Sequence, residues 1–393
     1  MSETTVVAPA RARGAVSALF LLNGATFASM VPRYPEVKAG LELSGTAFGA
    51  AVAAAPVGSI LAGLVTGALL RRWRSGQLAV WGSALLAADV VLVGVAGQWW
   101  ALAGVLLLCG MLDAVVDVSM NAHGLRVQRR YGRSIVNSFH ALWSIGAIVG
   151  GLLGSLAAGL AVPVAVHLAI TGAATAGAAL VARRFLLPGP DDAERSESAR
   201  PAGRRLLPGP AALRPLVLLG LLCASAALIE DTAASWGAVY LRGDLGAAPA
   251  LAGLVFVALQ STQAVGRLFG DRLVNRFGAR AVARSGAVLV VVGVGGALLW
   301  PSVPGTVLGF ALAGFGVATV IPAGFNAADD VPGLSAGVGL TAVGWVYRVG
   351  LLAGPPVVGV LADAAGLRFG LLVVPAVAVL MLLLAGRLPA RRT

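Results

Sequence analysis

Asp113, Asp117 and Asn121 stand four residues apart in "GMLDAVVDVSMNAHG", residues 110–124, inside an otherwise apolar run. On a helix each step of four residues advances about 40°, so the three side chains share one stripe rising about 12 Å. Two acids at i and i+4 can share a proton between them. Such a pair can carry a coupling proton, while the Asn121 amide offers hydrogen bonds to a solute. The competing reading is that one acid pins a neighbouring helix through an arginine. His123 points about 120° away from Asp117 and reads as a residue of the helix end.

Further polar residues interrupt the apolar runs elsewhere. Glu230 and Asp231 are adjacent, and neighbours on a helix point about 100° apart, so only one can face a given partner squarely. Trp236 follows six residues later and can stack on a ring or mark a membrane interface. Arg348 in "GWVYRVG", three residues after Trp345, is too central in its run to reach either surface. A charge at that depth needs a partner; Glu230 or Asp231 is expected to supply it, as a permanent ion pair or as one released on protonation, unless Arg348 binds an anionic substrate directly. In "NSFHALW", His140 and Trp143 fall at i and i+3 on one face, with Asn137 just before them. Gln260 and Gln263 repeat that spacing, as substrate contacts or as hydrogen-bonding glue between helices.

The elements that carry these residues are membrane helices. The 393-residue chain is 58% hydrophobic and 12% charged, against about 25% charged residues in a soluble domain. Apolar stretches of the roughly 20 residues needed to cross a bilayer recur twelve times. They are continuous rather than alternating, which predicts helices and excludes a barrel. Pairs such as Gly63 and Gly67, Gly266 and Gly270, and Gly350 and Gly354 suit close helix packing. Residues 183–214, with "LLPGP" twice and many charges, read as a cytoplasmic linker between six spans and six. The expected domains are therefore 1–184 and 215–393, joined by 185–214.

The net charge of +12 suggests nucleic acid until its distribution is considered. With the amino terminus inside, only Arg33, Lys38, Arg242 and Arg368 among the 29 basic residues face outward, and Arg348 lies within a span. That asymmetry is the positive-inside rule. It predicts a multi-pass protein of the bacterial inner membrane with both termini cytoplasmic and no nucleic-acid partner. Arg11 and Arg13 could open a cleaved signal peptide, but its removal would leave an odd number of spans and spoil the charge pattern. Cys109 and Cys223 both fall within spans and suggest packing rather than a disulfide.

Two six-helix halves around a central cytoplasmic loop match the transporter plan in which the binding site lies near the bilayer midplane. "GRLFGDRLVNRFGAR", residues 266–280, resembles the signature loop of the major facilitator superfamily. The resemblance implies an all-α membrane protein of twelve transmembrane helices in two pseudo-repeats. It also implies a cytoplasmic gate at Gly270, Asp271, Arg272 and Arg276. The first-half copy, "GALLRRWRSGQ", has Arg71 where the acid belongs.

"VPRYPEVKAGLELSGTAFG", "DVSMNAHGLRVQRRYGRSIVNSFHALWSIGAIVGG" and "IEDTAASWGAVYL" resemble a bacterial permease branch similar to the fucose-proton symporter group. That resemblance implies proton coupling at Asp117, an acid at Glu230 and substrate contact at Asn121, while Asp113 joins the coupling acids through its spacing to Asp117. Asn23 stands where the symporter group has a first-helix carboxylate, so a fucose-like specificity does not carry over. The candidate lining read from residue type and spacing also includes His140, Trp143, Trp236, Gln260, Gln263, Trp345 and Arg348. Asp89 would lie on a peripheral helix, where a structural pairing is expected.

No nucleotide-binding loop, metal-ligand cluster or nucleophile-base order stands out, so neither an enzyme nor a cofactor is expected. The reading is a monomeric secondary transporter of a small polar solute, sugar-like or a small metabolite, driven by protons in symport. Proton-coupled export would use the same carboxylates. A sensor or scaffold that keeps the fold without transporting is the reading from another class.

Overall fold

A computed structural model describes residues 8–132, 134–189, 191, 210–332, 334 and 338–389, the side chains of 210 and 211 excepted. Among these residues twelve helices are long and apolar enough to cross a membrane. The first six are α1 (Pro9–Met30), α2 (Gly45–Arg72), α3 (Ser75–Val93), α4 (Trp99–Tyr131), α5 (Val136–Gly159) and α6 (Val164–Ala182). Then come α7 (Pro210–Gly243), α8 (Leu254–Phe277), α9 (Ala279–Leu299), α10 (Val303–Asp329), α11 (Val338–Ala365) and α12 (Leu367–Arg387). The all-helical class read from the sequence holds.

Helices follow from the solvent. Hydrocarbon offers no hydrogen bonds, so each segment must satisfy its own backbone N–H and C=O groups. The surface shows the same solvent: Leu64, Leu268 and Leu383 are each at least 70% exposed. With apolar surroundings on the outside, burial of apolar area cannot hold the helices together, and close packing must do so.

In the first compact unit, Met1–Val37 with Ala54–Arg200, α1 packs along α5 through glycines. A Cβ built on Gly146 would lie 2.0 Å from the Leu21 carbonyl oxygen, and one on Gly150 would lie 2.2 Å from that of Ala25. From the α1 side, a Cβ on Gly24 would lie 2.2 Å from the Trp143 carbonyl oxygen. The helices therefore meet backbone to backbone. Towards the amino-terminal end of α1 the contact widens into a cluster of Val16, Phe20, Val80, Met120 and Phe139, with Phe20 and Phe139 stacked at 5.5 Å.

The second unit comprises Pro201–Thr393 together with Lys38–Ala53. The sequence places 38–53 with the first half; its packing places it with the second. Gly45 and Gly49 are responsible, since a Cβ on either would strike the carbonyl oxygen of Gly359 or Pro355, at 2.7 and 2.3 Å. The Asp363 carboxylate accepts from the Gly45 and Thr46 N–H groups at 2.6 and 2.7 Å, capping the free donors that begin α2. Most of the linker expected at 185–214 lies outside the described residues.

Candidate functional site

In the first unit the close approach of α1 and α5 brings three predicted residues into one chain of hydrogen bonds. The Trp143 indole N–H donates to Asn23 Oδ1 at 2.8 Å, and Asn23 Nδ2 donates to Asp113 Oδ1 at 2.8 Å. Asn23 is 5% exposed, so both ends of its amide are engaged out of solvent. This fixes the amide orientation: the indole N–H can only donate, so the amide atom facing Trp143 is the oxygen and Nδ2 faces Asp113. The other carboxyl oxygen of Asp113 has no hydrogen bond among the described residues, which leaves an acceptor beside the chain.

One turn further along α4, Asn121 Nδ2 donates to Asp117 Oδ1 at 3.0 Å and to the Asp117 carbonyl at 2.9 Å. Asp117 is exposed and Asp113 half-buried, so the stripe runs from an open acid to a covered one. His140 is exposed, and its ring meets Phe20 edge-on at 5.2 Å. Trp143, on the same face of α5, is half-buried. Asn23, Asp113 and Trp143 are thus joined directly, with Asp117 and Asn121 continuing along α4.

In the second unit the two adjacent acids part as their helical angle requires. Glu230 Oε2 accepts from Gln263 Nε2 on α8 at 2.8 Å. Asp231 turns to α11, where a Cβ on Gly354 would lie 3.5 Å from its Oδ2, and that oxygen has no hydrogen-bond partner among the described residues. Gln260 and Gln263 are buried, each with an unpartnered Oε1. They are therefore interior residues of the unit, with polar atoms still available.

Three expectations need correction. Arg348 forms no ion pair with Glu230 or Asp231 among the described residues. Its side chain is exposed and folds back on α11, donating to the Gly344 carbonyl at 3.2 Å and lying 6.0 Å from the Trp345 ring centroid. Both acids are directed elsewhere, to α8 and to Gly354. Trp236 neither stacks in an open site nor marks an interface: it is 1% exposed and packs edge-on against Phe48 at 5.2 Å. Asp89, expected in a structural pair, is 4% exposed and has no hydrogen-bond partner for either oxygen among the described residues.

At the end of α8, Asp271, Arg272 and Arg276 are exposed, and Asp271 has no ion pair among the described residues. Gly270 is buried, where a Cβ would lie 2.7 Å from the Thr319 methyl. Gly278 closes the signature at φ +85°, a conformation that suits glycine.

Sequence reasoning missed a second polar cluster in the first unit. The Leu187 N–H donates to His123 Nε2 at 3.2 Å, and His123 Nδ1 lies 3.1 Å from Ser75 Oγ. Ser75 also donates through Oγ and through its backbone N–H to Asp191, at 2.6 and 2.7 Å. The order of donors follows from the first bond. Nε2 must accept, so a neutral imidazole carries its proton on Nδ1 and donates to Ser75. Arg126 completes the cluster, donating to the carbonyls of Leu187, Pro188 and Gly189 and standing 3.7 Å from Asp191 Oδ1. "LLPGPD" after α6 was the available signal, but proline and glycine there suggest a free linker rather than a docked one.

Twelve apolar helices in two units, with acids and amides set among them, are those of a multi-pass membrane protein. The sequence profile of the Major Facilitator Superfamily matches residues 218–393. The uncharacterized transporter y4wD of Sinorhizobium fredii is 31% identical over 94% of this chain and 96% of its own length. An uncharacterized MFS-type transporter of Yersinia pestis is 28% identical over 88% of each chain. Among solved structures, the nucleoside transporter NupG superposes with a TM-score of 0.74 at 16% identity, covering 95% of this chain and 97% of its own. A bacterial homologue of the human lysosomal transporter Spinster gives 0.77 at 14% identity, covering 99% and 98%. The chain belongs to the Major Facilitator Superfamily, whose members are transporters of small molecules rather than enzymes.

Proposed function

We propose that this transporter carries a small polar solute, sugar-like or a small metabolite, across the bacterial inner membrane in symport with protons. The observation that supports the reading most is the hydrogen-bonded chain Trp143–Asn23–Asp113, with Asp117 one turn beyond. Polar groups placed in hydrocarbon cost several kcal/mol unless they are paired, and those that are kept mark substrate or ion pathways. In this reading Asp117, the exposed acid, takes up the coupling proton, and Asp113 shares it. The Asn121 and Asn23 amides and the Trp143 ring present hydrogen bonds and a stacking face to the solute. Glu230, held by Gln263, is the corresponding acid of the second unit, and exposed Arg348 with Trp345 offers a cationic contact.

Asp271, Arg272 and Arg276 form the cytoplasmic gate, and both termini lie in the cytoplasm, in keeping with the placement of basic residues. The protein works as a monomer. Nucleosides and monosaccharides are the first solutes to try, since the NupG likeness offers nucleosides and the fucose-symporter resemblance offers sugars. In proteoliposomes, Asp117→Asn should abolish accumulation driven by a pH gradient while solute exchange continues at a reduced rate. Undiminished gradient-driven accumulation in that variant would remove the coupling role of Asp117.

A further inference from the structure

Each unit carries an apolar groove, and the two grooves are the same groove twice. In the first unit α2, α3 and α4 enclose about 510 Å³ between Leu69, Trp73, Trp81, Leu85 and Val115, with Gly82 at the floor. In the second unit α8, α9 and α10 enclose about 300 Å³. Each of the nine lining residues of the first groove has a lining residue of the second 204 positions later, as with Leu69 and Leu273, Trp73 and Phe277, or Gly82 and Gly286. Glycine at the floor lets the flanking helices touch: a Cβ on Gly286 would lie 2.0 Å from the Gly316 carbonyl oxygen, and one on Gly82 would lie 2.7 Å from a Val116 methyl.

The walls are apolar and open outward. Trp73, Trp81 and Leu85 are 48%, 49% and 58% exposed, so they face the hydrocarbon. The mouths are basic. The Arg183 guanidinium lies 5.6 Å from the Trp81 ring centroid, and that of Arg276 lies 5.3 Å from the Phe277 ring centroid. Arg71, Arg72 and Arg74 flank Trp73, while Arg280 and Arg284 flank the second groove beside Ala281. An apolar trough ending in aromatic rings and guanidinium groups complements an acyl chain ending in a phosphate.

We propose that these grooves are binding sites for an anionic phospholipid of the cytoplasmic leaflet, its acyl chain along Leu85 and Gly82 and its phosphate on Arg183 in the first unit. The second groove takes the same lipid with its phosphate at Arg276. The leaflet assignment rests on the cytoplasmic placement of the basic residues given under Proposed function.

The test is native mass spectrometry of the purified full chain titrated with dioleoylphosphatidylglycerol and, separately, dioleoylphosphatidylcholine. The wild type should retain phosphatidylglycerol preferentially. Arg183→Gln should weaken binding of one of the two phosphatidylglycerol molecules by about fivefold, the effect of removing one basic residue from an anionic lipid headgroup, and leave the other bound as in the wild type. Leu85→Trp, at an exposed rim position, should fill the trough and weaken both lipids. Equal retention of the two lipids by the wild type would overturn the proposal, as would phosphatidylglycerol binding as strong in both variants as in the wild type. No substrate, gradient or sidedness enters this measurement, so its failure and the failure of the symport reading are separate results.

Discussion

Gly146→Ala tests whether backbone contact between α1 and α5 is what assembles the polar chain. The new Cβ would lie 2.0 Å from the Leu21 carbonyl oxygen, where an ordinary contact begins at 3.4 Å. The helices must therefore separate by about 1.4 Å at that point. Trp143 lies one turn before Gly146, and its 2.8 Å bond to Asn23 crosses the same interface. If that bond took up the whole displacement it would stretch to about 4.2 Å, beyond hydrogen-bonding range. The overpacking costs about 1–3 kcal/mol, and freeing the buried Asn23 amide adds about 1–3 kcal/mol. Thermal unfolding in detergent should fall by several degrees, and solute uptake should fall with it. Gly104→Ala is the control, because a Cβ there meets nothing within 4 Å; in a helix interior it should be neutral or stabilising by up to about 1 kcal/mol. Equal melting temperatures for the two variants would refute the reasoning.

Arg348→Gln should change stability by no more than about 0.5 kcal/mol, as for an exposed side chain without an ion pair. Loss of about 3–5 kcal/mol in the melting experiment would instead reveal a broken buried pair. His123→Ala removes the acceptor of the Leu187 N–H, and hydrogen exchange at that amide should quicken about tenfold, equivalent to roughly 1.4 kcal/mol of local opening. Unchanged exchange would mean that His123 does not hold the segment after α6.

The helices were legible because their cause is local: each apolar run must satisfy its own backbone, so length and hydropathy suffice. Asp113, Asn121 and Asp117 were legible as a stripe because helical angle is also local. The parting of Glu230 and Asp231 was half legible, since their angle was known but their neighbours were not. The destination of Arg348 was not legible at all. Whether a guanidinium reaches across to another helix or curls onto its own is decided by packing that no spacing rule encodes. Trp236 failed for the same reason: its neighbour Phe48 lies far away in sequence, on a segment that packs with the second unit. The docked segment 186–189 was hidden by its composition, because proline and glycine announce a turn and not what that turn binds.

The repeat clarifies which residues deserve functional attention. At the offset of 204 shared by the two grooves, Leu112 corresponds to Gly316 and Val115 to Thr319. At that offset Asp113 and Asp117 of α4 correspond to Val317 and Ile321 of α10. On α5 and α11 the packing glycines Gly146 and Gly150 correspond to Gly350 and Gly354, whereas Ser144 corresponds to Arg348. The floor glycines and close helix contacts therefore recur, while Asp113, Asp117 and Arg348 each occur in one copy. A requirement of the fold alone would act on both units alike, because both face the same solvent and use the same packing. Acids confined to one copy of a helix, at a cost of several kcal/mol in hydrocarbon, need a reason that the fold does not supply. The proposed binding and proton transfer are such a reason, and under that proposal the α4 stripe has a role distinct from that of α10.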